Sequence, residues 1–176
     1  NIVSVLTTTG YGLGDFGTWG PLTSILFMIL LALGACSGST SGGIKLFRIQ
    51  VATALFQKQA RQLMHPSGVF PQKYNGRPVS DHIVRSIVAF VLSYIAVIIV
   101  SSALLGLLGL SPLVAISGSI TAISNVGPGL GPLIGPLGNF STLPDAAKWI
   151  LSFDMMLGRL EILTVAVLFF PSFWKN

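Results

Sequence analysis

The chain is 176 residues long, 52% hydrophobic and only 9% charged, with 10 Lys+Arg against 5 Asp+Glu and a mean hydropathy of +0.80. Soluble domains carry about 25% charged residues. Here the few charges are also segregated: residues 86–144 (59 in a row) and 16–44 (29 in a row) contain no Asp, Glu, Lys or Arg. Neutral apolar runs beyond about 18–20 residues are membrane spans, since about 20 helical residues cross the hydrocarbon, so a soluble enzyme is excluded. Cys36 is the single cysteine, which removes an internal disulfide and a cysteine metal cluster. In a chain this apolar the basic excess marks a cytoplasmic face rather than a nucleic-acid partner.

Residues 1–6 are too few to span a bilayer and read as the end of a short helix. The chain opens on Asn1 inside that element, with no signal peptide, and is expected to be a C-terminal piece of a longer protein. Thr7-Thr8-Thr9-Gly10-Tyr11-Gly12-Leu13-Gly14-Asp15 follows. Glycine at every second position costs a helix about 1 kcal/mol each, which leaves an extended loop. Pro21 opens an apolar helix with no polar face, reaching about residue 35. It is interrupted by Gly34-Ala35-Cys36-Ser37-Gly38-Ser39-Thr40-Ser41-Gly42-Gly43, part-way across the membrane. Irregular backbone at such depth is tolerated only when buried in protein or lining a wet cavity.

Residues 44–64 read as an amphipathic helix with Lys45, Arg48, Lys58 and Arg61. The segment 45–85 holds seven of the ten Lys/Arg and one acid, Asp81, which makes it cytoplasmic by the positive-inside rule. His65-Pro66-Ser67-Gly68 and Asn75-Gly76-Arg77-Pro78 are turn signals within it. Asp81 is expected to cap a helix over residues 83–110, long enough to cross with tilt. Ser111-Pro112 starts a helix to about Ser124, only half a membrane long. Asn125-Val126-Gly127-Pro128-Gly129-Leu130-Gly131-Pro132 and a polar loop come next, and Pro144-Asp145 starts a last, continuous helix ending at Pro171. A half helix can return to its side of entry only as a re-entrant hairpin. The predicted fold is therefore an all-α integral membrane protein of helix–pore hairpin–helix repeats, with re-entrant half helices and extended filter loops.

Thr8-Thr9-Gly10-Tyr11-Gly12-Leu13-Gly14 and Asn125-Val126-Gly127-Pro128-Gly129-Leu130-Gly131 share the frame x-x-Gly-x-Gly-Leu-Gly, offset by 117. Internal repetition means one unit built more than once. The chemistry suits an ion filter, because closely spaced backbone carbonyls replace the hydration shell of a monovalent cation without charged side chains. Glycine lets successive carbonyls point the same way. Thr8 to Gly12 also looks like the potassium-channel filter sequence Thr-Val-Gly-Tyr-Gly, with Thr9 at the Val position. Tight extracellular turns are the alternative account of both loops. Gly12-x-Gly14-x-x-Gly17 matches a dinucleotide fingerprint only formally, with no preceding strand and no acid near 20 residues on. Residues 38–45 miss the phosphate-loop pattern because Ile44 separates Gly43 from Lys45.

On these motifs the chain resembles the Trk/Ktr/HKT superfamily of potassium transporters, and the Trk type most. Supporting it are residues 7–12, Gly38-Ser39-Thr40-Ser41-Gly42-Gly43-Ile44-Lys45, His65-Pro66, Asn125-Val126-Gly127-Pro128-Gly129, Gly158-Arg159-Leu160-Glu161 and Phe170-Pro171-Ser172-Phe173-Trp174. Family members are similar to four fused helix–pore–helix repeats around one pore. The resemblance implies that residues 1–64 are the latter part of repeat three, 65–80 a basic cytoplasmic linker and 81–176 repeat four. Two further filter strands would lie outside this chain, which alone cannot close a pore.

The resemblance further implies potassium at the filter carbonyls of Thr8, Thr9, Gly10 and Tyr11 and of Asn125, Val126, Gly127 and Pro128. It implies a gate at the intramembrane loop, with Gly38, Ser39, Thr40, Ser41, Gly42 and Gly43. Small residues equally serve close helix packing, and it is the resemblance that points to the gate. Arg159 lies 14 residues beyond Asp145, or about 21 Å at 1.5 Å per residue, near the bilayer middle. A charge there faces the protein interior with a partner. Aligning Gly34 with Gly158 sets Arg159 level with the loop, where it would repel cations and bond loop carbonyls. A structural pairing with Asp154 or Glu161 is the other account of it. Asp15 and Asp145 lie near the outer mouth, where they raise local cation concentration or simply start helices. Lys45 and Arg48 are expected to face the cytoplasm or anionic lipid without a specific role. His65 and His82 are too isolated for a metal site.

The function expected is potassium uptake through a channel-like pore in the inner membrane, multi-pass, with filter mouths periplasmic, no catalysis and no cofactor. Two other classes stay open: a cation-coupled secondary transporter (a symport) with its site at the broken helices, and a non-conducting membrane scaffold. By resemblance the partners are membrane lipid, a second copy in a homodimer and a cytosolic ring of nucleotide-binding regulatory domains, with no nucleic acid.

Overall fold

The proline and glycine signals of the sequence become helix ends in a computed structural model that describes residues 1–34, 42–65, 68, 71, 73–74, 77–168 and 174. Helix α1 is Ile2–Leu6. After the first glycine loop, a 3₁₀ turn at Phe16–Trp19 is capped by the Asp15 carboxylate, which accepts from the Gly17 N–H at 2.8 Å. Asp15 thereby has a local structural task. Helix α2 is Pro21–Ala32, with proline where its missing N–H costs nothing.

The interruption expected at residue 34 is present. Strand β1, Leu33–Gly34, pairs in parallel with β2, Ile44–Lys45, through Leu33 opposite Ile44 and Gly34 opposite Lys45. The chain thus leaves the helix and re-enters at the same place, and α3 resumes at Leu46–Met64. A short antiparallel pair, β3 (Lys73–Tyr74) with β4 (Arg77–Pro78), flanks the second predicted turn. The Tyr74 hydroxyl ties this pair to α3 by donating to Gln50 Oε1 at 3.0 Å.

Helix α4 is Asp81–Leu107. Its N-cap is Ser80, with Asp81 in the first turn, so the expected Asp81 cap is moved by one residue; a carboxylate there still complements the helix dipole. At 27 residues it is about 40 Å long at 1.5 Å per residue, and it is long and apolar enough to cross a membrane. Helix α5 is Pro112–Ser124, about half that length, and it ends at Asn125 in left-handed conformation. Helix α6 is Asp145–Arg159, and Asp145 pairs with Lys148 at its exposed start.

The last helix is not continuous. Glu161 adopts φ +58, and a separate helix α7, Ile162–Leu168, begins after it. No glycine or proline lies at the break. What holds the bend is tertiary: Glu161 is drawn to Lys45 and Arg48, at 3.4 and 3.3 Å.

The half helix α5 is the hub, as its burial shows. Every residue from Ser117 to Ser124 is buried, although helices of that length normally keep a wet face. One core joins it to α4 and α6 through Leu105, Val114, Ala115, Ala122, Ala147 and Leu151. A second joins it to the first half of the chain through Val5, Phe16, Phe27, Leu31, Ile120, Val126 and Leu130, with Phe16 and Phe27 stacked at 4.0 Å. Leu92, Ile95, Ile99, Val100 and Leu104 leave one side of α4 apolar and exposed, as befits a surface whose solvent is hydrocarbon.

Candidate functional site

The two glycine loops place their positive-φ residues at the same offset of 117. Thr8 and Asn125 are left-handed at φ +54 and +55, Gly10 and Gly127 follow at +82 and +114, and Gly14 and Gly131 at +158 and +98. Their hydrogen bonds repeat too. Thr8 N–H donates to the Val5 carbonyl at 3.1 Å and Asn125 N–H to that of Ala122 at 3.0 Å; Thr9 N–H donates to Ser4 at 2.9 Å and Val126 N–H to Thr121 at 3.1 Å. Short helices α1 and α5 therefore feed their strands in the same way.

The strands also lie side by side. A Cβ added to Gly10 would overlap the Val126 carbonyl oxygen, and one added to Gly127 would sit 3.9 Å from Gly10 Cα. Only a residue without a side chain permits that approach at positive φ. Of the eight residues expected in the filter, all are described, and Gly10, Val126, Gly127 and Pro128 meet at this contact. Thr8, Thr9 and Asn125 precede this contact along the chain, while Tyr11 is exposed.

Hydroxyls on α5 pin the second strand. Thr121 Oγ1 accepts from Gly127 N–H at 3.1 Å and donates to the Pro128 carbonyl at 3.0 Å. Ser117 Oγ accepts from Leu130 N–H at 3.0 Å. Asn125 Nδ2 donates to the Met155 carbonyl on α6 at 3.1 Å. The buried Tyr94 hydroxyl on α4 shares a 2.7 Å bond with Ser124 Oγ at the end of α5. Sequence reasoning passed over Ser117, Thr121, Ser124 and Tyr94. The available signal was a hydroxyl stripe at spacings of four and three on an otherwise apolar half helix.

Beneath the strands, two backbones close on the C-terminal end of α5. A Cβ at Gly42 would overlap the Ser124 carbonyl, and one at Gly158 the Ile123 carbonyl. Gly42, Gly43 and Arg159 line one cavity of about 200 Å³ together with Lys45, Arg48, Phe90, Gly158 and Glu161. Gly38, Ser39, Thr40 and Ser41 lie outside the described residues. Arg159 falls in the last turn of α6, where a cation is favoured by the helix dipole.

The acids near Arg159 have other bonds. Asp154 accepts from Ser101 Oγ at 2.7 Å, and Glu161 binds Lys45 and Arg48. Lys45 and Arg48 thus have a defined task where none was expected. Arg48 also lies 3.7 Å over the Phe90 ring, and both side chains are largely shielded. The positive-inside pattern hid this pairing, because it treats every basic residue in the segment alike. Among the described residues, no group of three or more His, Cys, Asp or Glu is arranged to hold a metal ion.

A half helix stopping inside an apolar bundle and running into a glycine strand defines an all-α membrane protein with re-entrant hairpins. The chain matches the TrkH family, described as cation transport protein, over residues 1–176, and it belongs to that family. It is 53% identical over 176 residues to the Trk system potassium uptake protein TrkI of Halomonas elongata, covering 100% of this chain and 36% of that protein. It is 33% identical over 175 residues to the Trk system potassium uptake protein TrkH of Escherichia coli K12, covering 99% of this chain and 36% of that protein. The crystal structure of the potassium transporter TrkH from Vibrio parahaemolyticus superposes with a TM-score of 0.88 at 34% identity, over 98% of this chain and 36% of that one. The chain thus spans about a third of the length of these relatives. They are named for potassium uptake or potassium transport.

Proposed function

We propose that this chain supplies two of four filter strands in a potassium uptake protein of the cytoplasmic membrane. The observation that carries the reading is the paired backbone: two strands with the same left-handed residues and hydrogen bonds, in contact at Gly10 and Val126. Left-handed residues between extended ones turn successive carbonyls to one side, and a ring of such carbonyls replaces the water of a monovalent cation. Potassium is the transported ion, held by carbonyls of Thr8, Thr9, Gly10 and Tyr11 on one strand. Asn125, Val126 and Gly127 serve on the other, with Pro128, already bonded to Thr121, closing it. Residues 1–64 and 81–176 are two units of one repeat joined by the basic linker 65–80.

The gate of this reading is the loop between the paired stems β1 and β2, with Gly42 and Gly43 at its foot and Arg159 beside it. Arg159 keeps a positive charge in the cavity below the filter and so opposes cation passage while the loop is in place. The filter mouths face outward and the basic segment 45–85 inward. The complete protein pairs with a second copy, and the basic face receives a cytosolic ring of nucleotide-binding regulatory domains, which bind the nucleotide.

Rubidium uptake into liposomes by the complete protein tests the reading. Wild type should take up rubidium ahead of sodium, and Gly127→Ser, which forces a side chain into φ +114, should lose most of that preference. Equal preference in the two proteins contradicts the filter. A coupled transporter is the second reading, and one observation favours it. Asp154 is the buried carboxylate among the described residues, with Oδ2 lacking a hydrogen-bond partner. Intramembrane acids serve as ion or proton sites. Under coupling, Asp154→Asn abolishes the response of uptake to an imposed proton or sodium gradient; under the channel reading the two proteins respond alike.

A further inference from the structure

Glu161 is one of three non-glycine residues with positive φ among the described residues, the other two being Thr8 and Asn125 in the glycine strands. Such a backbone is unfavourable for a residue with a side chain and persists only where its surroundings hold it. On an unbroken helix, residues 159 and 161 would face different sides, since neighbours two apart do not share a face. The left-handed turn brings both to the same cavity of about 200 Å³. There Glu161 Oε1 accepts from Lys45 Nζ at 3.4 Å and from an Arg48 guanidinium nitrogen at 3.3 Å.

These two cations belong to the other half of the chain. Lys45 lies in β2, opposite Gly34 in β1, where the chain re-enters its helix below the intramembrane loop. Arg48 is in the first turn of α3 and is fixed against Phe90 of α4 at 3.7 Å. Their side chains are 23% and 17% exposed, against 50% for Glu161. The ion pairs are thus shielded on the loop side, where they are screened least.

We propose that Glu161 is a positioning residue: through Lys45 and Arg48 it latches the stem of the intramembrane loop to the break between α6 and α7. The latch keeps Gly42 against the Ser124 carbonyl and holds the loop's foot beside Arg159. It rests on the gate reading above. Breaking it frees the stem without removing any residue from the filter or any charge from Arg159.

The test is rubidium uptake by the complete protein in liposomes, normalised to assembled protein. The variants are Glu161→Gln, Lys45→Met, the double variant and Arg159→Ala. Glu161→Gln and Lys45→Met should each raise uptake about two- to fivefold, the range for loss of a partly exposed ion pair. The double variant should match Glu161→Gln rather than multiply the two effects, because Lys45 acts only through Glu161, which also holds Arg48. Glu161→Asp, which keeps the charge, should return uptake toward wild type, which a merely structural role would not require. Lys45→Met reads the same bond if Glu161→Gln fails to assemble. Wild-type uptake in Glu161→Gln or Lys45→Met beside raised uptake in Arg159→Ala overturns the latch and leaves the gate. Unchanged uptake in all of them overturns the gate and the latch with it. Multiplying effects in the double variant also overturn the latch.

Discussion

Thr121 shows how much of the site depends on one side chain. It is 1% exposed, and its hydroxyl makes one bond to the Gly127 N–H and another to the Pro128 carbonyl. Thr121→Val keeps the shape and removes both bonds, each worth about 0.5–1.5 kcal/mol. A lower unfolding temperature in detergent, with rubidium preference over sodium reduced, is the expected outcome; Thr121→Ser retains both bonds and stays near wild type. At this scale the glycines were legible in the sequence, because a repeated frame with glycine at every second position has few uses in an apolar chain. Thr121 was not, since a stripe of hydroxyls on an apolar half helix reads as ordinary helix packing. Its meaning comes from Gly127 and Pro128, six and seven residues on.

Helices break and cross here for reasons of unequal visibility. The α2–α3 interruption was legible because ten small and hydroxyl residues cannot continue an apolar helix. The α6–α7 break was not, because Leu160-Glu161-Ile162 contains no breaker; the turn is held by Lys45 and Arg48 from more than a hundred positions away. The crossing of α6 over α5 depends on Gly158, where a Cβ would meet the Ile123 carbonyl, a backbone atom that cannot rotate aside. Gly158→Ala should therefore destabilise the protein by about 1–3 kcal/mol or more, read as a fall in unfolding temperature. Tyr94→Phe removes only the bond to Ser124 Oγ and should cost about 1 kcal/mol, detectable in the same assay with the filter strands intact.

At the scale of the whole molecule, charge segregation and the 117-residue offset were enough to indicate a membrane protein built by repetition. The contact between the two strands was beyond the sequence, since pattern matching pairs loops by likeness and says nothing of distance. Val126 supplies that link: its side chain lies in the core shared with Val5 and Phe27, and its carbonyl faces Gly10. The apolar flank of α4, with Leu92, Ile99 and Leu104 exposed, likewise has meaning only against hydrocarbon or another apolar surface.

The central claim is that the two strands hold potassium by their backbone carbonyls, and a crystal of the complete protein grown in rubidium tests it most directly. Anomalous difference density should appear on the pore axis level with the carbonyls of Thr8 to Gly10 and Asn125 to Gly127, and should vanish when rubidium is replaced by sodium. An ordered filter region without rubidium density, with ions bound elsewhere in the same crystal, would contradict the account.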